Sequence, residues 1–209
     1  LRLHVIVAST RPTRSADRVA PWVARRASEH ADFDVEVLDL RDWPLPFFQE
    51  HFGSLGDPAD PSYSDPAVKR WVGKIAEADA YLVVTPEYNR SVPATLKNAF
   101  DSVFASSAFR NKPIAAVGYS TGVAGGSRAV EHLAQIAIAA EMAPLRSSVV
   151  IPSVLTAFTD GEPREPMAEA SLTVLLDDLA WWSSTLKRAR DEGELPLAVM
   201  RVQAALAAN

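Results

Sequence analysis

The chain has 209 residues, 48% of them hydrophobic and 22% charged, with a formal net charge of −5 and a mean hydropathy of −0.01. That length suits one domain with a full core, and the apolar content is too high for a disordered chain. Zero cysteines exclude disulfides, thiolate zinc sites, iron–sulfur clusters and cysteine nucleophiles. His4, His30, His51 and His132 are dispersed, so no metal is expected and redox chemistry has to come from an organic cofactor. The acidic balance argues against nucleic acid. No apolar run approaches the ~20 residues that a bilayer demands. Strand-like LHVIVA opens the sequence with no signal peptide ahead of it, so a cytoplasmic protein off the membrane is expected.

Along the chain, short Val- and Ile-rich runs alternate with stretches whose apolar residues recur at helical spacing. A first strand is read at residues 3–8, then a helix with Val19, Trp22, Val23 and Ala27 on one face, then a strand at 34–40. Residues 53–65, dense in Gly, Pro, Asp and Ser, read as a surface loop. Val68, Trp71, Val72 and Ile75 repeat the i, i+3, i+4, i+7 pattern of a packed helix ahead of a strand at 80–85. Pro93 opens a third helix, a strand follows at 113–120, and Gly125-Gly126-Ser127 precedes a fourth helix. A last strand at 145–151 leads to a stripe of Leu172, Leu175, Leu176, Leu179, Trp182 and Leu186. The tail from Leu195 has helical composition and reads as a surface helix or a dimer contact. This alternation is that of a doubly wound α/β fold with a parallel sheet covered on both faces. Ligands of such sheets sit beyond the carboxyl ends of the strands where strand order reverses, which singles out three loops.

The loop after the first strand, Ser9-Thr10-Arg11-Pro12-Thr13-Arg14-Ser15, lacks both the dinucleotide and the P-loop glycine patterns. Its hydroxyls, its guanidinium groups and the N–H groups of a helix start suit a terminal phosphate monoester, and equally an N-capped helix with solvated arginines. After the third strand, Pro86 and Pro93 bracket Glu87-Tyr88-Asn89-Arg90-Ser91-Val92, a stiff polar and aromatic segment that offers backbone N–H groups and a ring face to a flat ligand. Half-buried packing of Tyr88 and a turn at Asn89 describe it as well. Gly118-Tyr119-Ser120-Thr121-Gly122 matches the nucleophile elbow of α/β-hydrolases, with Ser120 as nucleophile. The histidine that should follow in chain order is missing, since His132 falls in the helix after the elbow. The continuation to Gly125-Gly126 reads better as a turn that lets backbone lie flat against a ligand.

Taken together, these loops resemble the NAD(P)H-dependent FMN reductase family. The resemblance runs from Leu3 to about Arg188 and is densest in Trp71-x-x-Lys74-Ile75-x-x-Ala78-Asp79-Ala80-Tyr81-x-x-Val84-Thr85-Pro86-Glu87-Tyr88-Asn89, with Ser91, Pro93 and Leu96-Lys97-Asn98-Ala99-x-Asp101 after it. The Ser9-x-Arg11 loop, the Leu-Arg-Asp-Trp-Pro-Leu-Pro-Phe segment ending at Phe47, and Gly125-Gly126-Ser127-Arg128 agree with it. Ala8 and Thr13 stand where the family often has glycine. The resemblance implies a flavodoxin-like five-stranded parallel sheet of order 2-1-3-4-5, over residues 1–190, with a helical tail at 191–209. It implies FMN, with its phosphate on Ser9, Arg11, Arg14 and Ser15. Pro86, Glu87, Tyr88 and Asn89 then line the isoalloxazine, and Ser120, Thr121, Gly122 and Gly125 close the other side. NADPH or NADH is the implied reductant, with a quinone, azo compound or free flavin as acceptor. The kinetics are ping-pong, no side chain is obligatory for proton transfer, and the assembly is a homodimer or tetramer. A flavodoxin-type electron carrier is the alternative. Such a carrier sandwiches the ring between aromatic side chains, whereas Tyr88 is the sole aromatic read here among ring-facing residues.

Overall fold

The computed structural model describes residues 1–51, 53–57 and 61–208, so residues 58–60 of the expected surface loop lie outside the described residues. The elements are β1 (Arg2–Val7), α1 (Ala16–Glu29), β2 (Asp34–Asp39), α2 (Pro66–Ala76), β3 (Ala80–Pro86), α3 (Ala94–Asp101), β4 (Pro113–Tyr119), α4 (Ser127–Ala139), β5 (Ala143–Ile151), β6 (Phe158–Thr159), β7 (Glu162–Pro163), α5 (Pro166–Glu192) and α6 (Ala198–Ala207). The main sheet is parallel, in the order β2-β1-β3-β4-β5, with Val5 of β1 facing Val37 on one side and Leu82 on the other. The chain turns outward from β1 to β2 and then crosses back to β3. The carboxyl ends of β1 and β3 therefore flank the reversal point, where helix crossovers leave an open crevice.

Period-two alternation splits the strands between two cores. Leu3, Val5, Val7, Leu82, Val84, Val117 and Tyr119 face α1 and α5, whereas Ile6, Tyr81, Val83, Ile114 and Ala116 face α2, α3 and α4. Buried polar atoms are served locally: Trp71 Nε1 donates to Ala99 O at 2.8 Å and Tyr81 OH to Ile75 O at 2.6 Å. Asp65 caps α2 by accepting from Ala67 N at 2.7 Å and Val68 N at 3.3 Å, with Pro66 in the first turn. At the start of α4 the glycines are a packing requirement. A Cβ on Gly126, where φ is 93°, would stand 2.3 Å from Tyr119 N, and one on Gly118 would stand 2.8 Å from Val130 Cγ2.

One expectation is corrected. The α5 stripe is buried at Leu172, Leu175, Leu176 and Leu179, but the next turn buries Ala180 and Ser183, and Trp182 is exposed against Trp181. Ala180 and Ser183 continue the face of Leu172, Leu176 and Leu179 at helical spacing, which turns Trp182 to the rim of the buried face. The β6–β7 hairpin adds to the elements expected from sequence: Asp160-Gly161, both at positive φ, form its two-residue turn. The tail forms α6, which buries no side chain among the described residues. Its entry is held by Arg110, whose Nη1 donates to Leu195 O at 2.8 Å and Nη2 to Pro196 O at 3.2 Å.

Candidate active site

The β1–α1 loop is fixed at its root by β3 and α3: Ala8 N donates to Val84 O and Thr95 Oγ1 to Ala8 O, each at 3.0 Å. Ser9 is fully buried, and its Oγ lies 2.7 Å from Tyr88 OH. Arg14 turns inward. Its Nη1 donates to Ser9 O at 2.7 Å and Asp39 Oδ1 at 2.6 Å, Nη2 to Asp39 Oδ2 at 2.5 Å, and Nε to Asp17 Oδ1 at 2.7 Å. Four of the five guanidinium N–H groups are thereby committed, and the Arg14 side chain is only 6% exposed. The Asp39 hydrogen bonds raise the Arg14 pKa further above its ordinary value. Burial by itself would raise the Asp39 carboxyl, but the Arg14 bonds and the Arg41 amide outweigh it and hold the pKa below the usual range. Arg41 also donates to the carbonyls of Arg11 and Pro12, bracing the turn from outside. Ser15 occupies the N-cap of α1 without a side-chain capping bond, which leaves first-turn N–H groups open to a ligand.

The β3–α3 loop is held by backbone. Glu87 N donates to Tyr119 O at 3.0 Å, Tyr88 N to Ser91 O at 2.9 Å and Ser91 N to Tyr88 O at 3.0 Å. Asn89 and Arg90 between them have φ of 50° and 68°, the pair of positive values that marks a type I′ turn. The Glu87 carboxylate is buried and accepts from Arg128 Nε at 2.6 Å, which ties this loop to α4, while its Oε2 has no partner among the described residues. The Arg11 guanidinium stacks over the Tyr88 ring, 3.7 Å from its centroid, so a cation of the first loop rests on the aromatic of the second.

After β4, Ser120 N donates to Ile151 O at 3.1 Å and Val154 N to Ser120 O at 3.0 Å. Ser120 Oγ donates to Gly122 O at 3.0 Å, and Ser120 is not among the positive-φ residues, so it stands on no strained elbow. His132 Nδ1 instead lies 3.0 Å from Ser91 Oγ. A serine nucleophile without a base on its hydroxyl has no means of activation, and the hydrolase reading lapses.

These loops enclose a cavity of about 320 Å³ lined by Arg11, Thr13, Arg14, Ser15, Pro86, Glu87, Tyr88, Tyr119, Ser120, Thr121, Val154 and Leu155. Of the residues marked from sequence, Ser9 lies beneath it, bonded to Tyr88, and Asn89, Gly122 and Gly125 are outside its lining. Tyr119, Val154 and Leu155 line it without having been marked from sequence, and with Tyr119 present Tyr88 is not the only aromatic here. Gly118 faces α4, so the pleat sends Tyr119 to the α1 side, a signal present in the strand's alternation. The Tyr119 hydroxyl is buried without a hydrogen bond among the described residues. Its pKa is raised by burial first and Tyr88 second, with Ser9 close enough to oppose the rise. A larger cavity of about 720 Å³ lies between α3 and α4 and includes Phe100, Phe104, His132 and Ile136 in its wall. The start of α3 at Ala94 and the Lys97 ammonium stand in its wall, but Lys97 is paired with Asp101 at 2.6 Å and no arginine lines it, so the smaller cavity, with Arg11 and Arg14, is the better anion site.

Comparison with known proteins identifies the family. The family pattern of NADPH-dependent FMN reductase matches residues 1–156. The chain is 33% identical over 153 residues to an NAD(P)H-dependent FMN reductase of Schizosaccharomyces pombe, covering 72% of this chain and 74% of that protein. It is 30% identical over 164 residues to a quinone reductase of Pseudomonas putida, covering 77% and 84%. Among solved structures, FerB of Paracoccus denitrificans, a flavoenzyme NAD(P)H:(acceptor) oxidoreductase, superposes with a TM-score of 0.69 at 23% identity, over 88% of this chain and 97% of that one. The sheet order, the three loops over one crevice and a match that spans 156 of 209 residues place this chain in the NADPH-dependent FMN reductase family, the oxidoreductases that work with FMN and NAD(P)H.

Proposed function

We propose that this chain holds FMN in the crevice over β1, β3 and β4, phosphate toward the start of α1, and passes electrons from NAD(P)H to a small quinone-type acceptor. The observation that carries this reading is the meeting, in one cavity, of an uncapped helix N-terminus, the Arg11 guanidinium and the Tyr88 ring. The residues present fit the cofactor. Open N–H groups, hydroxyls and one uncommitted guanidinium suit a phosphate monoester, and the orphaned Tyr119 hydroxyl is a further polar group that a bound ligand would satisfy.

In this reading Arg11, Thr13 and Ser15 hold the phosphate, while Arg14, already committed to Asp39 and Asp17, positions the loop. Pro86 to Tyr88 on one side, and Ser120 with Thr121 on the other, frame the ring, while Asn89, Gly122 and Gly125 shape the turns behind them through backbone hydrogen bonds. FMN held there would supply two-electron chemistry, accepting hydride from NAD(P)H and reducing the acceptor at the same face in turn, the basis of a ping-pong scheme. Ser9 keeps the Tyr88 hydroxyl in place, and Glu87 with Arg128 anchors the ring loop to α4. The exposed Val199, Val202 and Leu206 of α6 support assembly as a homodimer or a tetramer of dimers, and the cysteine-free composition suits the cytoplasm.

The purified protein is expected to be yellow and to release FMN on denaturation, and its flavin is expected to bleach when NADPH or NADH is added without a helper reductase. Release of FAD, or a flavin that bleaches only with a partner reductase, overturns the reading in favour of another cofactor or of an electron carrier.

A further inference from the structure

At the amino-terminal edge of the sheet, opposite the crevice, a second polar cluster joins three elements. His4 of β1 and Glu36 of β2 are register partners, and Glu77 follows the last turn of α2. His4 is completely buried, and neither ring nitrogen has a hydrogen-bond partner among the described residues. A buried imidazole with both nitrogens idle is costly unless something else occupies it. Its Nε2 stands 3.4 Å from Glu36 Oε2, and one ligand atom from each of His4, Glu36 and Glu77 lies within 4.8 Å of the other two. A separation of 3.4 Å is long for a hydrogen bond, but it matches the roughly 3.4 Å between two ligands that share a tetrahedral ion at about 2.1 Å.

A cation already stands close by. Lys74 Nζ is 3.0 Å from Glu36 Oε1 and 2.9 Å from Glu77 Oε2, and Arg2 Nη1 is 3.0 Å from Glu77 Oε2. These groups answer the carboxylates but leave His4 unserved, since neither donates to it. Lys74 is a point charge on a flexible stem at the surface of α2 and can swing into water without moving backbone.

We propose that His4, Glu36 and Glu77 form a binding site for a divalent transition-metal ion of the zinc type, and that the ion enters by displacing the Lys74 ammonium. One imidazole with two carboxylates is a zinc-type ligand set that leaves a position for water, and the imidazole disfavours calcium and magnesium. The three ligands come from β1, β2 and the end of α2, so the ion clamps the edge of the sheet far from the cofactor loops. It stabilises the fold and leaves flavin binding alone.

The test is calorimetric titration of zinc chloride into the FMN-loaded protein, stripped with a chelator and dialysed, together with its melting temperature. One equivalent is expected to bind and to raise the melting temperature, with FMN affinity unchanged. Glu36→Gln and Glu77→Gln, both at partly exposed positions that fold readily, should each weaken zinc by about tenfold or more, while Lys74→Met, which removes the competitor, should tighten it by about tenfold. Absence of saturable binding, equal affinity in Glu77→Gln, or weaker binding in Lys74→Met overturns the proposal.

Discussion

The two loops that meet over the crevice are fixed by different forces. The β1–α1 loop owes its shape to charge: Arg14 is clamped by Asp39, Asp17 and Ser9 O, and Arg41 braces the carbonyls of Arg11 and Pro12. The β3–α3 loop owes its shape chiefly to backbone, through a two-residue turn at Asn89-Arg90, prolines at 86 and 93, and the Glu87 amide hydrogen bond to Tyr119 O of β4, with the single Glu87–Arg128 pair tying it to α4. A site for a charged group built on ion pairs, beside a site for a planar ring built on fixed peptide groups, lets each half fail separately. The first should respond to charge removal and acid, the second to local conformation.

The largest effect is expected from Asp39→Ala. It strips a nearly buried guanidinium of its bidentate partner, which should cost about 3 kcal/mol, the low end for a broken buried pair because Asp17 still faces Nε. Phosphate binding should suffer with it, and FMN affinity should fall by about a hundredfold. Urea denaturation and fluorescence titration measure the two; a variant normal in both would show that Asp17 alone holds the loop. Acid probes the same pair without mutation. Asp39 titrates below its unfolded value, so its contribution is complete above about pH 4 and is lost as pH falls through the folded value. Stability followed from pH 6 to pH 3 should therefore decline less steeply in Asp39→Asn, the pH-dependent part of the clamp having gone.

Arg11→Ala comes next. Loss of one charge-assisted bond, about 1.5–3 kcal/mol, should weaken FMN by roughly ten- to hundredfold and leave riboflavin nearly unaffected. Because Arg11 also rests on Tyr88, an equal loss for both ligands would mean that its stacking shapes the ring side as well, and the division between the loops would be less clean.

The fold was legible because each central strand is an unbroken apolar run and each helix a spaced stripe, signals that survive without knowledge of tertiary contacts. The crevice followed from strand order. What escaped the sequence depends on partners distant along the chain. Arg14 reads as a free phosphate ligand until Asp39, at the end of β2, is seen to claim it. Trp182 reads as core until Ala180 and Ser183 are seen to take the buried face in its turn. His4 looks isolated among four scattered histidines, and only the β1–β2 register and the end of α2 bring two carboxylates to it. The turn at Asn89-Arg90 lacks the glycine that announces positive φ.

Tyr119→Phe tests whether the overlooked tyrosine belongs to the site. Deleting a buried hydroxyl that lacks a partner should leave the ligand-free protein as stable or more stable, by up to about 1 kcal/mol. If FMN is what satisfies that hydroxyl, affinity should fall by roughly three- to tenfold at the same time. Movement of stability and affinity in opposite directions is the expected signature; a parallel loss of both would make Tyr119 a packing residue only.

The smallest effect, and the one most specific to the ring loop, is expected from Arg90→Gly. Arg90 is exposed and sits at φ 68°, a conformation that costs a non-glycine residue about 1 kcal/mol or more, and Asn-Gly is the preferred pair for this turn. Relief of that strain is opposed by the greater freedom of glycine in the unfolded chain, about 0.5–1 kcal/mol, so the net gain should be a few tenths of a kcal/mol. For a chain of this size that is a rise in melting temperature of about 1 °C, with FMN affinity and its salt dependence unchanged. The matching change in the other loop, Thr13→Gly, should relieve nothing, since Thr13 is not at positive φ, and should lower the melting temperature through chain entropy. If Arg90→Gly instead lowers the melting temperature or weakens FMN, the arginine side chain is contributing to the site, and the ring loop depends on charge as the phosphate loop does.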